Sequence, residues 1–290
     1  MTASIASAVD SLKWRVRQSF DPDLIHLVCQ AVGHRWRTRV LDPVTTIWLF
    51  ALQILHGNTA CTHSARLMPG VQTTDSAYCQ ARKRLPLSVF QMLFRRTCRM
   101  LLEATDEALS RWHGHRVFFI DGSTCSMPDT PALRRDVRPA DGTPARRGGF
   151  PALKLIGLFR AGSGLLVDAL IEPLYRHEAK VAHRLFGHLR PGDVLIGDRA
   201  FCSYVLIALL AARSVHILMR QHQRRQTDFR RGRRLGVRDQ IIQWTKPLKR
   251  PAWMETHVFE QLPDRLTLRR VEYRIEANPD GIGIARRRSC

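Results

Sequence analysis

The sequence predicts an α/β fold: a mixed sheet with flanking helices, preceded by an all-helical region and followed by a basic, β-rich segment. Three observations predict it. Apolar residues recur at spacings of three and four within residues 1–113, the period of a helix with one buried face. Between 114 and 220, short apolar runs alternate with helix-like segments, a pattern that a sheet with helices on its faces accommodates. From 221 to 290, an arginine run gives way to short β-like stretches. A chain of 290 residues has room for two domains or for one large domain with an insertion, and its 44% hydrophobic content is ample for a core.

Local signals delimit the helical region. Helices are expected in the stretch from Leu24, over Val44–Leu55 and over Ser88–Ala104. Asp42 is placed as an N-cap, and Pro43 suits a first helical position because an N–H there would have no helical partner. Thr74-Asp75-Ser76 caps a helix over Ala77–Leu85, which Pro86 ends. That short helix follows a Pro69-Gly70 break and is basic on one side through Arg82, Lys83 and Arg84. Two readings stand: a helix–turn–helix that contacts DNA, or an ordinary bundle with a basic outer face.

In the second region Val117–Ile120 reads as a strand, and residues 130–149, rich in Pro, Arg, Gly and Asp, as a polar loop. Leu153–Phe159 and Leu165–Ile171 read as a hairpin joined by Arg160-Ala-Gly-Ser-Gly164. His177–Leu189 reads as a helix with Val181, Leu185 and Leu189 on one face, and Pro191-Gly192 breaks it. Val194–Gly197 is a strand, Tyr204–Arg213 a helix and Val215–Met219 a strand. Three antiparallel strands followed by two parallel ones is the order a ribonuclease-H-like core requires.

The third region opens on Arg220, Arg224, Arg225, Arg230, Arg231, Arg233, Arg234 and Arg238. This is the best nucleic-acid patch in the sequence, with a solvated flexible loop as the competing reading. β-like stretches follow at Ile241–Thr245, His257–Gln261 and Thr267–Ile275, and Asn278-Pro-Asp-Gly281 is a strong turn signal.

Formal net charge is +21. It divides as +6 over 1–113, +6 over 114–220 and +9 over 221–290. Spread basicity favours a long polyanion over a small acidic substrate, and arginine suits phosphate because its planar fork donates two parallel hydrogen bonds. A genome rich in arginine codons accounts for part of the excess. The longest apolar stretch, Val44 to Leu55, is too short and too interrupted to span a membrane. The N-terminus lacks a basic n-region and a long apolar h-region, so no secretion signal is read and a cytoplasmic, nucleoid-associated location is expected. Seven scattered cysteines with no C-x-x-C pair read as reduced thiols, and Cys61-Thr-His63 is too isolated to hold zinc.

The chemistry centres on two aspartates. Arg116-Val-Phe-Phe-Ile-Asp121-Gly-Ser and Asp193-Val-Leu-Ile-Gly-Asp198-Arg-Ala-Phe each read as a buried strand that delivers a carboxylate to its C-terminal end. Side by side in one sheet, Asp121 and Asp198 would form a site for Mg²⁺ or Mn²⁺. Gly122-Ser123-Thr124 lets a phosphate approach closely, and Arg199 could hold a phosphate or orient a carboxylate. The bland alternative makes each Asp a strand-terminating turn residue. Asp129, Asp136 and Asp141 read as solvated loop acids, and Asp168 and Glu172 as residues that can face solvent. Glu178 reads as a first-turn helix acid, and His177 and His183 as surface residues.

Asp121-Gly-Ser-Thr-Cys-Ser-Met-Pro-Asp-Thr130 resembles the first-aspartate motif of DDE transposases of the insertion-sequence-4 family, and Ile196-Gly-Asp-Arg-Ala-Phe-Cys-Ser-Tyr204 resembles their second. Asp75-Ser-Ala-Tyr-Cys-Gln-Ala-Arg-Lys-Arg-Leu-Pro86 is similar to the family's N-terminal helical region. The resemblance runs from about residue 40 to about 276. It implies DNA transposition by metal-dependent cleavage and joining of DNA strands, on a ribonuclease-H-like core with Asp121 and Asp198 as catalytic metal ligands and Mg²⁺ (or Mn²⁺) as cofactor. It implies transposon ends and target DNA as partners, gripped by the arginine-rich region and strands of 221–276, with a homodimer on DNA left open. The expected division is 1–113 helical and DNA-binding, 114–220 catalytic core, and 221–290 basic insertion and tail.

One part of the family pattern is not found: the third acid, in a helix of pattern Y-x₂-R-x₃-E-x₆-K. Set on Tyr204, the pattern meets Ile207 where Arg is needed; set on Tyr273, it puts Glu276, Asp280 and Arg287 at the Arg, Glu and Lys positions. Asp280 stands in a turn sequence rather than mid-helix. The expectation is therefore a truncated transposase that binds DNA, is weak or inactive, and exposes apolar surface where a helix would pack. Two alternatives remain: a nuclease whose third acid comes from elsewhere, such as Glu276, and a non-catalytic DNA-binding protein that inhibits a full-length relative.

Overall fold

A computed structural model describes residues 20–68, 70–104, 111–137, 151–222, 225, 228–277 and 283–286. Arg224, residues 138–149 of the expected polar loop, the Asn278–Gly281 turn with Asp280, and residues 287–290 lie outside them. The chain forms two compact units, residues 1–105 and 106–290.

The first unit is built from helices α1 (Pro22–Ala31), α2 (Pro43–Leu55), α3 (Cys61–Ser64), α4 (Asp75–Arg84) and α5 (Leu87–Glu103). Local chemistry sets their starts. The Asp42 carboxylate accepts from Thr45 N–H at 2.8 Å, and the Thr74 hydroxyl accepts from Ala77 N–H at 3.2 Å. Each such cap contributes about 1 kcal/mol. The core joins Ile25, Val28 and Cys29 of α1 to Val44 and Ile47 of α2 and to Leu85, Val89 and Leu93. Tyr78 is fully buried, donating its O–H to Gln53 Oε1 at 2.9 Å.

The second unit centres on a mixed sheet. Strand β1 (Arg111–Trp112) turns into β2 (His115–Ser126), which is followed by β3 (Ala152–Arg160), β4 (Leu166–Pro173), β5 (Val194–Gly197) and β6 (His216–Met219). Their order is β4-β3-β2-β5-β6, with β1 paired to β2. Strands β2, β3 and β4 run antiparallel to one another, whereas β5 is parallel to β2 and β6 parallel to β5. Helix α6 (Pro131–Asp136) occupies part of the segment expected as loop, started by the Thr130 hydroxyl on Leu133 N–H at 3.3 Å.

The expected helix over 177–189 is instead two 3₁₀ stretches, Glu178–Lys180 and Ala182–His188. Val181, Leu185 and Leu189 are buried as their spacing foretold, but the tighter coil carries them. Helix α7 (Tyr204–Ala212) is apolar nearly all round, which suits a helix covered on both sides. One side meets the sheet's last strands. The other meets the β-rich segment β7 (Arg233–Gly236), β8 (Asp239–Thr245), α8 (Thr256–Glu260) and β9 (Arg265–Val271). Tyr204, Val205, Ile207 and Ala208 form one core with Met254, Phe259, Leu262 and Leu266. The stretch 257–261, read as β-like, is the helix α8; five residues are too few for periodicity to decide, and burial of Phe259 fixes the outcome. Strands β10 (Arg274–Ala277) and β11 (Gly283–Arg286) pair antiparallel. Among the described residues no helix is long and apolar enough to cross a membrane.

Candidate active site

Strand register builds the site. In the parallel pair, Val117 faces Val194 and Ile120 faces Gly197. The next residue on each strand is an aspartate, so Asp121 and Asp198 stand at the same level on neighbouring chains. Strand spacing puts their backbones about 5 Å apart. Partners in a parallel register point to the same face, so both carboxylates leave the sheet on one side. Both residues are exposed. Each holds one oxygen on a nearby amide: Gly122 N–H donates to Asp121 Oδ1 at 2.8 Å, and Ala200 N–H to Asp198 Oδ1 at 2.7 Å. Among the described residues, the second oxygen of each accepts no protein hydrogen bond.

Alternation assigns the neighbours. Val117 and Phe119 share the face of Asp121; Phe118, Ile120 and Gly122 share the other, which is packed. A Cβ at Gly197 would meet Met219 Sδ at 2.9 Å and Ile120 Cγ2 at 3.1 Å. A Cβ at Gly122 would meet Glu178 Cδ and Oε1 at 2.7 Å. Each aspartate is thus next to a glycine that allows close packing behind it. The aspartate face is open among the described residues: Phe119 is 42% and Leu218 61% exposed. A groove of about 370 Å³ there is lined by Trp112, Val117, Val194, Ile196 and Leu218, among others.

A salt bridge fixes the base of the two strands. Arg116 donates through Nε at 2.7 Å and Nη2 at 2.5 Å to the two oxygens of Asp193. Asp193 Oδ2 also accepts from Arg190 N–H at 2.7 Å.

Two acids read as able to face solvent are buried. Asp168 is 6% exposed and Glu172 4% exposed. Asp168 Oδ2 lies 2.9 Å from His188 Nε2, and Glu172 is bonded by Arg176 at 2.8 Å and by Arg184. These partners come from the 3₁₀ segment and the turn before it, which cover that face. Glu178 is paired with Lys154 at 3.2 Å rather than acting only as a first-turn acid. His183 is not a surface residue: its ring stacks on Trp253, centroids 4.7 Å apart, and burial pushes its pKa down. No isolated sequence signal marked Glu178 or His183, because their partners lie on other elements.

The expected DNA-contacting cations divide into two groups. Lys83, Arg84, Arg199, Arg220, Arg233 and Arg234 are exposed. Arg230 and Arg231 are exposed at their side chains and flank Asp228, and Arg238 pairs with Glu272. Arg82 is turned inward: it donates to Gln53 Oε1 at 2.7 Å and lies 5.1 Å from the Phe50 ring centre. The Arg225 guanidinium lies 3.7 Å from the Trp244 ring centre. Arg225 is an exposed loop residue that packs on Trp244, whereas Arg82 is half-buried.

The strand read over Val117–Ile120 runs on to Ser126, so Asp121 lies within β2 and Asp198 just past the end of β5. The two exposed carboxylates are hard oxygen donors, the type that Mg²⁺ and Mn²⁺ take while keeping waters and substrate phosphates as further ligands. Among the described residues, no group of three or more His, Cys, Asp or Glu stands ready to hold a metal ion. The pair therefore fits an ion shared with solvent and substrate, and does not form a closed protein cage. Glu276 lies in β10 opposite Ile284.

Residues 112–271 match the family described as "Transposase DDE domain". The chain is 31% identical over 140 residues to "Putative transposase InsZ" of Escherichia coli (strain K12). That match covers 47% of this chain and 45% of the relative, so the chain spans about half the length of the curated relative it matches. A solved piggyBac transposase synaptic complex with hairpin DNA overlays 92% of this chain and 62% of its own at 8% identity, with a TM-score of 0.39.

Proposed function

Since the chain belongs to the transposase DDE domain family, we propose that it cleaves and joins DNA strands by divalent-metal-dependent phosphoryl transfer, with Asp121 and Asp198 as the metal-holding pair. The observation that carries this reading is the Ile120–Gly197 register, which sets the two aspartates side by side. The strand order β4-β3-β2-β5-β6 supports a ribonuclease-H-like core. The two aspartate motifs support placement in the insertion-sequence-4 family.

Asp121 and Asp198 would bind Mg²⁺ or Mn²⁺, which supplies positive charge against the charge that develops on the phosphodiester. The protein does the rest. Gly122 lets Glu178 pack closely behind the strand that carries Asp121. Arg199, exposed beside Asp198, supplies a fork of donors for a phosphate oxygen. Arg220, Arg233 and Arg234 extend positive surface away from the site and would hold DNA in place.

The test is nicking of supercoiled plasmid by the purified chain in Mg²⁺ and in Mn²⁺. Nicking that vanishes in Asp121→Ala and in Asp198→Ala supports the enzyme. Nicking that survives both removes this site from the reaction.

A second reading, a DNA-binding protein without catalysis that inhibits a longer relative, is favoured by the absence of a third acid beside the pair among the described residues. It expects no nicking by the wild-type chain, unchanged DNA affinity in Asp121→Ala, and steep salt dependence.

A further inference from the structure

We propose that an arginine-lined cleft in the helical unit is a docking surface for the phosphodiester backbone of DNA; this rests on the reading of the chain as a protein that acts on DNA. The cleft has a volume of about 610 Å³ and lies between the segment joining α1 to α2 and the end of α4. Arg35, Arg37, Arg39 and Arg84 line it, with His34 and Trp36.

The segment's geometry makes the cleft. Helix α1 ends at Ala31, and Gly33 adopts φ +70°, which turns the chain out of the helix. The chain then runs without helix or ladder until Asp42 caps α2. Burial alternates over 34–37: His34 and Trp36 are half-buried, Arg35 and Arg37 exposed; Thr38, Arg39 and Val40 beyond are all exposed, with a bend at Arg39. That is the period of an extended backbone. The even positions anchor it. Trp36 packs against the core of Ile25, Val28 and Val44. Its ring stacks on His26 at 5.5 Å with planes 5° apart, and lies 6.2 Å from His34. The odd positions are thus presented in a row by a held backbone.

Two residues of extended chain span about 6.6 Å, so Arg35 and Arg37 stand in a row, and Arg39 past the bend continues the cations along the same cleft. A line of this kind matches a string of phosphates better than one small anion, which needs converging donors. None of Arg35, Arg37, Arg39 and Arg84 is ion-paired with an acid among the described residues. The acid that lines the cleft, Asp42, accepts from Thr45 N–H at the start of α2. Arg84 adds a fourth cation from α4, whose inward-turned Arg82 cannot serve in the same way.

The test is fluorescence anisotropy of a labelled DNA duplex titrated with the full chain between 50 and 200 mM salt. Three chains are compared: wild type, Arg35→Gln/Arg37→Gln/Arg39→Gln, and Arg96→Gln/Arg99→Gln/Arg213→Gln. The last removes the same charge from exposed positions outside the cleft. Loss of three phosphate contacts lowers the salt slope by about 3 and weakens binding about 10- to 100-fold, while the control variant changes by about threefold or less. The lysine triple at 35, 37 and 39 keeps the charge and should retain the slope; it also carries the test if the glutamine triple melts early.

Equal losses in the cleft and control variants would overturn the cleft and leave DNA binding intact. No binding by wild type at 50 mM salt would overturn the DNA reading itself, and the cleft with it.

Discussion

The Glu178 carboxylate lies against Gly122, so closely that a Cβ at 122 would sit 2.7 Å from Glu178 Cδ. Lys154 pairs with that carboxylate at 3.2 Å, which limits its freedom to retreat. Gly122 directly follows Asp121, so a side chain at 122 presses on the strand that carries the site. Gly122→Ala should lower stability by about 1–3 kcal/mol, the usual cost of overpacking. Removing the obstacle should restore it: Gly122→Ala combined with Glu178→Ala should be more stable than the two single losses predict. A strictly additive urea-unfolding cycle would show that Glu178 does not confine residue 122.

Asp121→Asn and Asp198→Asn should abolish Mg²⁺-dependent chemistry without unfolding the protein. Both side chains are exposed and bond only to nearby amides. Neutralising either also removes repulsion between two carboxylates on adjacent strands. The melting temperature without metal should therefore hold or rise slightly. Metal should stabilise only the wild type, by about 2.7 kcal/mol at a hundred times Kd if the unfolded chain does not bind. Equal Mg²⁺ stabilisation of wild type and both variants would place the ion elsewhere.

Arg116 and Asp193 stand at the starts of the two strands that carry the site, with Asp121 within β2 and Asp198 just past β5. The pair is nearly buried, with side chains 12% and 4% exposed. Asp193→Ala strands the Arg116 guanidinium beside Phe118 and should cost about 3–5 kcal/mol, the penalty for an uncompensated buried charge. Asp193→Asn keeps an acceptor and should cost less. Equal urea midpoints for the two variants would show that the charge is immaterial.

Capping and apolar runs were legible in the sequence because they act locally. Asp42-Pro43 starts a helix through its own amides, and Val117–Ile120 and Val194–Gly197 are apolar enough to be strands on their own account. Strand β4 shows where local reading stops. The local sequence allows Asp168 and Glu172 to face solvent, yet Glu172 is 4% and Ile171 61% exposed. Arg184 and Arg176 bring positive charge to Glu172 on the packed face, and the His188 ring meets Asp168 there. Those partners are set by the path of the 3₁₀ segment, which no pattern within β4 encodes. The relation of Glu178 to Gly122 has the same character: it exists only after two distant segments meet.

His183 gives the protein an acid-sensitive joint. Its ring stacks on Trp253 with planes 13° apart, linking the 3₁₀ segment to the β-rich segment. Burial holds its pKa below the ordinary 6.5, and the neighbouring Arg184 charge lowers it further. As pH falls below 6.5 the unfolded chain takes up a proton that the folded chain resists. The stabilisation is therefore present above 6.5 and is lost as pH falls through the lower, folded pKa. His183→Phe keeps an aromatic ring for Trp253 and removes the titration. The urea midpoints of wild type and variant should respond alike above pH 7, and wild type should lose more between pH 6.5 and 5. If the two curves fall in parallel, the acid loss originates in other groups and burial of His183 is not what sets it.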